Sequence, residues 1–282
     1  MISGYWIELL SGATISALAS LGLYVQMSTG QMNVAQAAFV GIGGYAAALL
    51  TLKAGFPFAV ALLVGAAFAA GVGLLFATMV LRLSHWWYAI ASLAFGEAVV
   101  SIASNLDYIG GILGLMAIPA RTTFGLLLAV LVVLLLFFVG FERSRFTLGM
   151  KAIRADETAS MASGVDARAI RVSAFTLGTF IAGLAGGLHV HLLTVITPTD
   201  LGFHVSLNYF VNVAVGGTRH FWGTLVASYV LFFLPELLRF SATDRFILFG
   251  ILLVVIMIFL PQGLTSRRLA FRQRPASGPP SR

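Results

Sequence analysis

The sequence predicts an all-α fold: a polytopic transmembrane helical bundle with eight or nine membrane segments. Three observations predict it. Of 282 residues, 59% are hydrophobic and 10% charged, several apolar runs reach spanning length, and the basic residues gather in two short segments. Ordinary soluble domains carry roughly a quarter charged residues, so a water-soluble core cannot absorb this excess of apolar side chain.

A helix needs about 20 apolar residues to cross a hydrocarbon layer about 30 Å thick, because each residue rises about 1.5 Å. In chain order the long windows are Tyr5 to Met27, Ala54 to Leu83, Phe124 to Phe141, Ala174 to Ile196, Phe221 to Leu238 and Phe246 to Leu260. Shorter or interrupted ones are Asn33 to Leu52, Tyr88 to Ile102 and His204 to Val215. A membrane β-barrel would show alternating polarity over ~10-residue stretches; Leu131 to Val139 does not alternate, and a barrel is rejected. Met1 to Glu8 lacks the basic start of a cleavable signal peptide, so the first segment is retained.

The net charge of +7 reads as membrane topology rather than nucleic-acid binding. Six of the 17 Lys and Arg lie between Glu142 and Arg171, and five more follow Leu264. Short Lys/Arg-rich loops stay in the cytoplasm, which places both segments inside. An even number of crossings must then separate them. The break at Gly216-Gly217-Thr218-Arg219-His220 supplies the missing one if it divides the stretch from His204 to Arg239 into two short crossings; the alternative is one long helix with a kink. The chain thus divides into a membrane domain, residues 1–265, with a cytoplasmic loop at 142–171, and a basic tail, 266–282, expected to be disordered. With no cysteine, disulfides are excluded.

Enzyme and motor signatures are missing. The two lysines, Lys53 and Lys151, do not follow glycine, so a phosphate-binding loop of the G-x-x-x-x-G-K-[ST] type is impossible. His189 and His191 are two apart and fall on different faces of a helix; with His204 and a single nearby carboxylate, Asp200, they make no metal site. Glu97 and Asp107 lack a third catalytic partner. No cofactor, metal or catalytic residue is expected.

Three groups of residues carry the functional reading. In the cytoplasmic loop, Ala152, Ala155, Ala159 and Ala162 recur at helical spacing beside Lys151, Arg154, Asp156 and Glu157, and Gly164 suits the end of such a helix. Its smooth stripe fits a groove in another protein, or a solvated helix on the membrane surface. Next, Gly178, Ala182 and Gly186, with Gly183 and Gly187, place small side chains every four residues, which lets helix backbones approach closely in lipid. Finally, glycines cluster where helices look broken, at Gly41, Gly43 and Gly44, at Gly110 and Gly111, and at Gly216 and Gly217. Irregular backbone at membrane depth is tolerated where it is buried or lines a cavity. Gln31, Asn33, Gln36 and Glu97 add polar groups inside apolar surroundings, so these residues are the candidate pathway elements.

The order of the motifs resembles the branched-chain amino acid ABC transporter permease family. Gly30-Gln31-Met-Asn33 with Gln36-Ala-Ala-Phe39 and Gly41-Ile-Gly-Gly-Tyr45 is followed by Leu81-Arg-Leu83, Tyr88-Ala-Ile90 and Leu93-Ala-Phe-Gly-Glu97. Gly110-Gly-Ile-Leu-Gly-Leu115, Ile118-Pro119, Ala152-Ile153-Arg154, Glu157 with Gly164, Ala182-Gly-Leu-Ala-Gly-Gly187, Gly216-Gly217 and Leu260-Pro-Gln-Gly-Leu264 complete the series. The resemblance covers nearly the whole chain and is closer to the LivM than to the LivH subfamily. Departures are Gln36, where many members carry His, and Ser84-His-Trp-Trp87 in place of a more polar turn.

The resemblance implies an ABC-importer permease in the bacterial inner membrane. It would pair with a second, LivH-like permease, bind two cytoplasmic ATPases that hold the ATP, and receive solute from a periplasmic binding protein. Ala152 to Gly164 would be the coupling helix. The solute would be a branched-chain or related hydrophobic amino acid; relatives also handle urea, short amides and aromatic acids. The rival reading is a secondary transporter driven by an ion gradient through Glu97.

Overall fold

In the computed structural model, residues 2–80, 82–83, 85–237 and 250 are described. The expected segment Phe246 to Leu260, the Leu260–Leu264 motif and the tail after 265 lie outside them. The described residues form ten α-helices and short 3-10 turns, with one isolated β-bridge between Leu115 and Ile196. The helices are α1 (Ile2–Met27), α2 (Gln36–Leu52), α3 (Phe58–Val80), α4 (His85–Asn105), α5 (Phe124–Phe141), α6 (Arg145–Ala155), α7 (Glu157–Ala162), α8 (Ala167–Leu193), α9 (Phe203–Gly216) and α10 (Phe221–Leu237).

Five helices, α1, α3, α4, α5 and α8, are long and apolar enough to cross a membrane. α2 and α10 are shorter apolar helices. The split expected near Gly216 is present, because Gly217 takes a left-handed φ of 84° that ends α9 before α10 begins at Phe221.

α8 is the central post, with α1, α2 and α3 around it. Its small residues explain why. A methyl group on Gly178 would meet the Gly22 carbonyl of α1 at 2.5 Å, and one on Gly183 would meet Ala66 Cα of α3 at 2.8 Å. One on Gly43 of α2 would collide with the Gly183 backbone, and one on Gly186 with the Val40 carbonyl. Backbones in contact at these points leave no room for any side chain larger than hydrogen. Between them packs an aromatic cluster of Phe39, Phe76, Phe95, Tyr88 and Phe175; the Phe39 and Phe95 rings stack at 5.2 Å.

Two expectations change. Gly41, Gly43 and Gly44 lie inside an unbroken α2, because they serve close approach to neighbouring elements while the helix keeps its own backbone bonds. The alanine-striped helix is two helices. Asp156 adopts extended backbone (φ −157°, ψ 111°) and its carboxylate accepts the Ala159 N–H at 3.0 Å, capping α7 and ending α6. An aspartate that bonds the backbone ahead of it competes with continued helix.

Candidate functional site

At one end of the bundle, basic residues surround α6 and α7. Ser144 caps α6 by accepting the Thr147 N–H at 3.3 Å, and Met150 and Ile153 bury its inner face. Asp166 caps α8 in the same way at 2.9 Å. Between these caps, Ala152, Ala155, Ala159 and Ala162 remain exposed, as do Arg154, Asp156 and Gly164, while Glu157 is partly covered.

Glu157 does more than flank the stripe. The Arg171 guanidinium donates to both its carboxylate oxygens, at 2.6 and 2.8 Å, and so ties α7 to the first turns of α8. A two-pronged bond fixes orientation as well as distance.

Beside this module Glu142, at the end of α5, gathers three helices. Its Oε1 accepts the Tyr24 hydroxyl of α1 at 3.2 Å and the Phe221 N–H of α10 at 3.1 Å. His220 Nδ1 lies 3.3 Å from Oε2. Although Arg154 is exposed as a whole residue, desolvation of its guanidinium against the bundle lowers its pKa, with Tyr24 opposing and Arg219 reinforcing the fall.

Gln31, Asn33 and Gln36 lie at the turn from α1 into α2, level with the middle of α4, where Val34 N–H donates to Ser92 and Gly96 faces Ala35. The Asn33 amide donates to Gln26 Oε1 at 2.7 Å, Gln26 donates to Gln36 Oε1 at 3.2 Å, and Gln36 donates to the Ala19 carbonyl at 3.0 Å. This buried chain of amides staples α1 to α2. Gln31 is also buried, but among the described residues neither of its side-chain polar atoms has a partner.

The opposite end holds the Gly110–Gly114 turns. Gly110, Gly111 and Gly114 take positive φ of 91°, 54° and 73°, and the turn is pinned by the Leu115–Ile196 bridge. Lys53 donates to the Tyr108 carbonyl at 2.8 Å and covers its ring.

Two cavities lie between the helices. The larger, about 910 Å³, is bounded by α1, α8, α9 and α10, and presents Glu8, Ser16, His189, Asn208, Tyr209 and Asn212 among apolar side chains. The smaller, about 210 Å³, is lined in part by Gly41, Gly186, His189, Asp200 and Tyr209. His189, Val205 and Tyr209 belong to both walls. Asn212 is held in place by donating to Ser16 and Ser20 of α1 at 3.2 and 2.9 Å.

The pathway candidates therefore do not converge. Gly41 lines the smaller cavity, Gly43 and Gly44 pack against α8, Gln31, Asn33 and Gln36 sit at and just before the start of the same helix α2, and Gly216 and Gly217 end α9 near the basic end. Gly110 and Gly111 are at the other end, and Glu97 is exposed on the side of α4. Sequence reasoning missed Glu142, Arg171, Tyr209 and Asn212. Their partners lie far along the chain or, for Arg171, 14 residues away across a turn, so no helical spacing reveals them.

Among the described residues no cluster of three or more metal-ligating side chains occurs.

The family model described as the permease component of the branched-chain amino acid transport system matches residues 5–261. The chain is 30% identical to the high-affinity branched-chain amino acid transport system permease protein LivM of Escherichia coli, over 94% of this chain and 71% of that protein. LivM of Salmonella typhimurium gives 29% identity over the same shares. A probable branched-chain amino acid transport permease protein LivH of Methanocaldococcus jannaschii gives 24% over 58% of this chain and 52% of its own length. No solved structure matches significantly. A match that runs through every helix from α1 to α10 is a match to the whole bundle, and the chain belongs to the branched-chain amino acid transport permease family.

Proposed function

We propose that the chain is one permease subunit of an ATP-driven importer in the bacterial inner membrane, carrying branched-chain or related hydrophobic amino acids. It acts with a second permease, two ABC ATPases and a periplasmic binding protein, and itself hydrolyses nothing. The basic end is cytoplasmic, in keeping with the charge bias of short loops.

One observation carries this reading beyond family membership: an exposed, small-residue surface on α6 and α7 is tied by the Glu157–Arg171 fork to α8, the post that touches α1, α2 and α3. A load applied to Ala152, Ala155, Ala159 and Ala162 reaches α8 through that fork and the short turn from Ser163 to Asp166. Glu142 supplies a second link, joining the ends of α1, α5 and α10. Closure of the ATPases around ATP then shifts α8 against its neighbours. The two cavities that share His189 and Tyr209 are the space whose access such a shift changes.

The test is reconstitution in liposomes with both permeases and the ATPases. Uptake of leucine delivered by the binding protein requires internal ATP. Ala159→Arg, which places a bulky charge on the exposed face, abolishes uptake while the amount of inserted protein is unchanged. Uptake at the wild-type rate by Ala159→Arg, or uptake by the permeases without ATPases, contradicts the reading. The latter outcome is the signature of a gradient-driven carrier.

A further inference from the structure

Glu97 poses a question that the coupling mechanism does not answer. It lies 12 residues after the start of α4 and eight before its end, deep within a helix of spanning length. Among the described residues it is the one Asp, Glu, Lys or Arg of a spanning helix that stands more than two turns from both ends. Yet it is exposed, and among the described residues no side chain forms a hydrogen bond or ion pair with it.

The neighbouring helix gives the contrast. α4 and α5 are both sparsely covered, 22% and 17% of their apolar windows being buried. On α5 the uncovered side chains are Leu128, Val132, Val133, Leu136 and Phe137, a surface that lipid satisfies. On α4 Glu97 shares its face with exposed Ala94, Ala98, Ser101 and Asn105, and, toward the start of the helix, with exposed Trp86, Trp87 and Ile90. A carboxylate at that depth is costly against hydrocarbon and is found facing protein or water. The flanking alanines and serine are the small residues that allow a second helix to come close.

We infer that this face of α4 is the contact surface for the companion permease, which presents a cation or hydrogen-bond donor to Glu97. The inference rests on the paired-permease reading above. A second copy of this chain fits the surface poorly. Docking α4 against α4 about a two-fold axis brings two carboxylates together, and the helix carries no Lys or Arg to offset them.

The chain contains no cysteine, so a single introduced thiol reports without background. Ala98→Cys, modified with a benzophenone maleimide and irradiated in native membranes, is expected to give a covalent adduct whose mass identifies a different permease of the same family. Val133→Cys on α5 is expected to give none. Glu97→Leu is expected to reduce recovery of that companion at least tenfold, whereas Glu97→Gln, which still hydrogen-bonds, retains most of it. An adduct with lipid, with a second copy of this chain or with no protein overturns the assignment. So does reaction of Ala98→Cys with a water-soluble maleimide as fast as Gly55→Cys, placed in an exposed loop, because it marks a water-filled surface. If the permease–ATPase complex still purifies intact, such a result sinks the surface alone; if no complex forms, the proposed function falls with it.

Discussion

At the scale of single residues, glycine identity decides which helices can meet. Gly43 and Gly183 touch through their backbones, whereas Gly71 on α3 has nothing within 4 Å of the position a Cβ would take. Gly43→Val should therefore destabilise the bundle by about 3 kcal/mol or more, the upper range for overpacking a close-fitted core. Gly71→Val should leave stability within about 1 kcal/mol, as expected of a substitution with open space around it. Thermal unfolding in detergent compares the two, and equal losses would contradict the close-approach argument. The Glu157–Arg171 fork makes a different prediction, because Glu157 is 38% exposed, so water takes up its charge when Arg171, 16% exposed, is replaced by an apolar side chain of similar length. Arg171→Met should leave unfolding almost unchanged and lower uptake per ATP hydrolysed. A large loss of stability with unchanged coupling would show that the fork is only a brace.

At the scale of elements, each helix has its own balance of local rule and packing. Gln36→Leu breaks the amide chain between α1 and α2 and leaves the buried Gln26 amide N–H without its acceptor, so it should cost about 1–3 kcal/mol, the penalty for an unpaired buried polar group. Gln31→Leu removes two buried atoms that have no partner among the described residues and should not destabilise, which the same unfolding measurement checks. What the sequence made legible follows from where the information lies. Phe124 to Phe141 was readable to its last residue because an apolar run bounded by Thr123 and Glu142 depends on nothing elsewhere in the chain. The glycines of α2 misled, since a local cluster looks like a break unless the backbone of α8 opposite is known. The two-helix form of the alanine segment was written locally, in the capping habit of Asp156, but the regular alanine spacing on either side masked it. The cavities shared by His189 and Tyr209 were invisible, because they exist only once α1, α8, α9 and α10 are assembled.

At the scale of the whole molecule, the helices are arranged around one central post. α8 is fixed against α1, α2 and α3 by backbone contacts, and its first turns carry the fork to α7. α9 and α10 border the large cavity and pack on α1 and α2, through Asn212, the Thr14–Tyr229 hydroxyl pair and the Ala37 N–H donated to Ser206, while Glu142 accepts the first N–H of α10. The described helices divide into faces with distinct surroundings: apolar on α5, polar in mid-helix on α4, small and exposed on α6 and α7. Those are the faces proposed above for lipid, companion permease and motor. The central claim is that force enters at the alanine surface and leaves as solute movement. It is tested most directly by measuring ATP hydrolysis and leucine uptake together in liposomes that contain the complete importer. With wild-type chain the two rates should rise together on addition of loaded binding protein, and with Ala159→Arg uptake should vanish while the permeases remain inserted. Unchanged uptake by Ala159→Arg at the wild-type ratio of leucine to ATP would contradict the account.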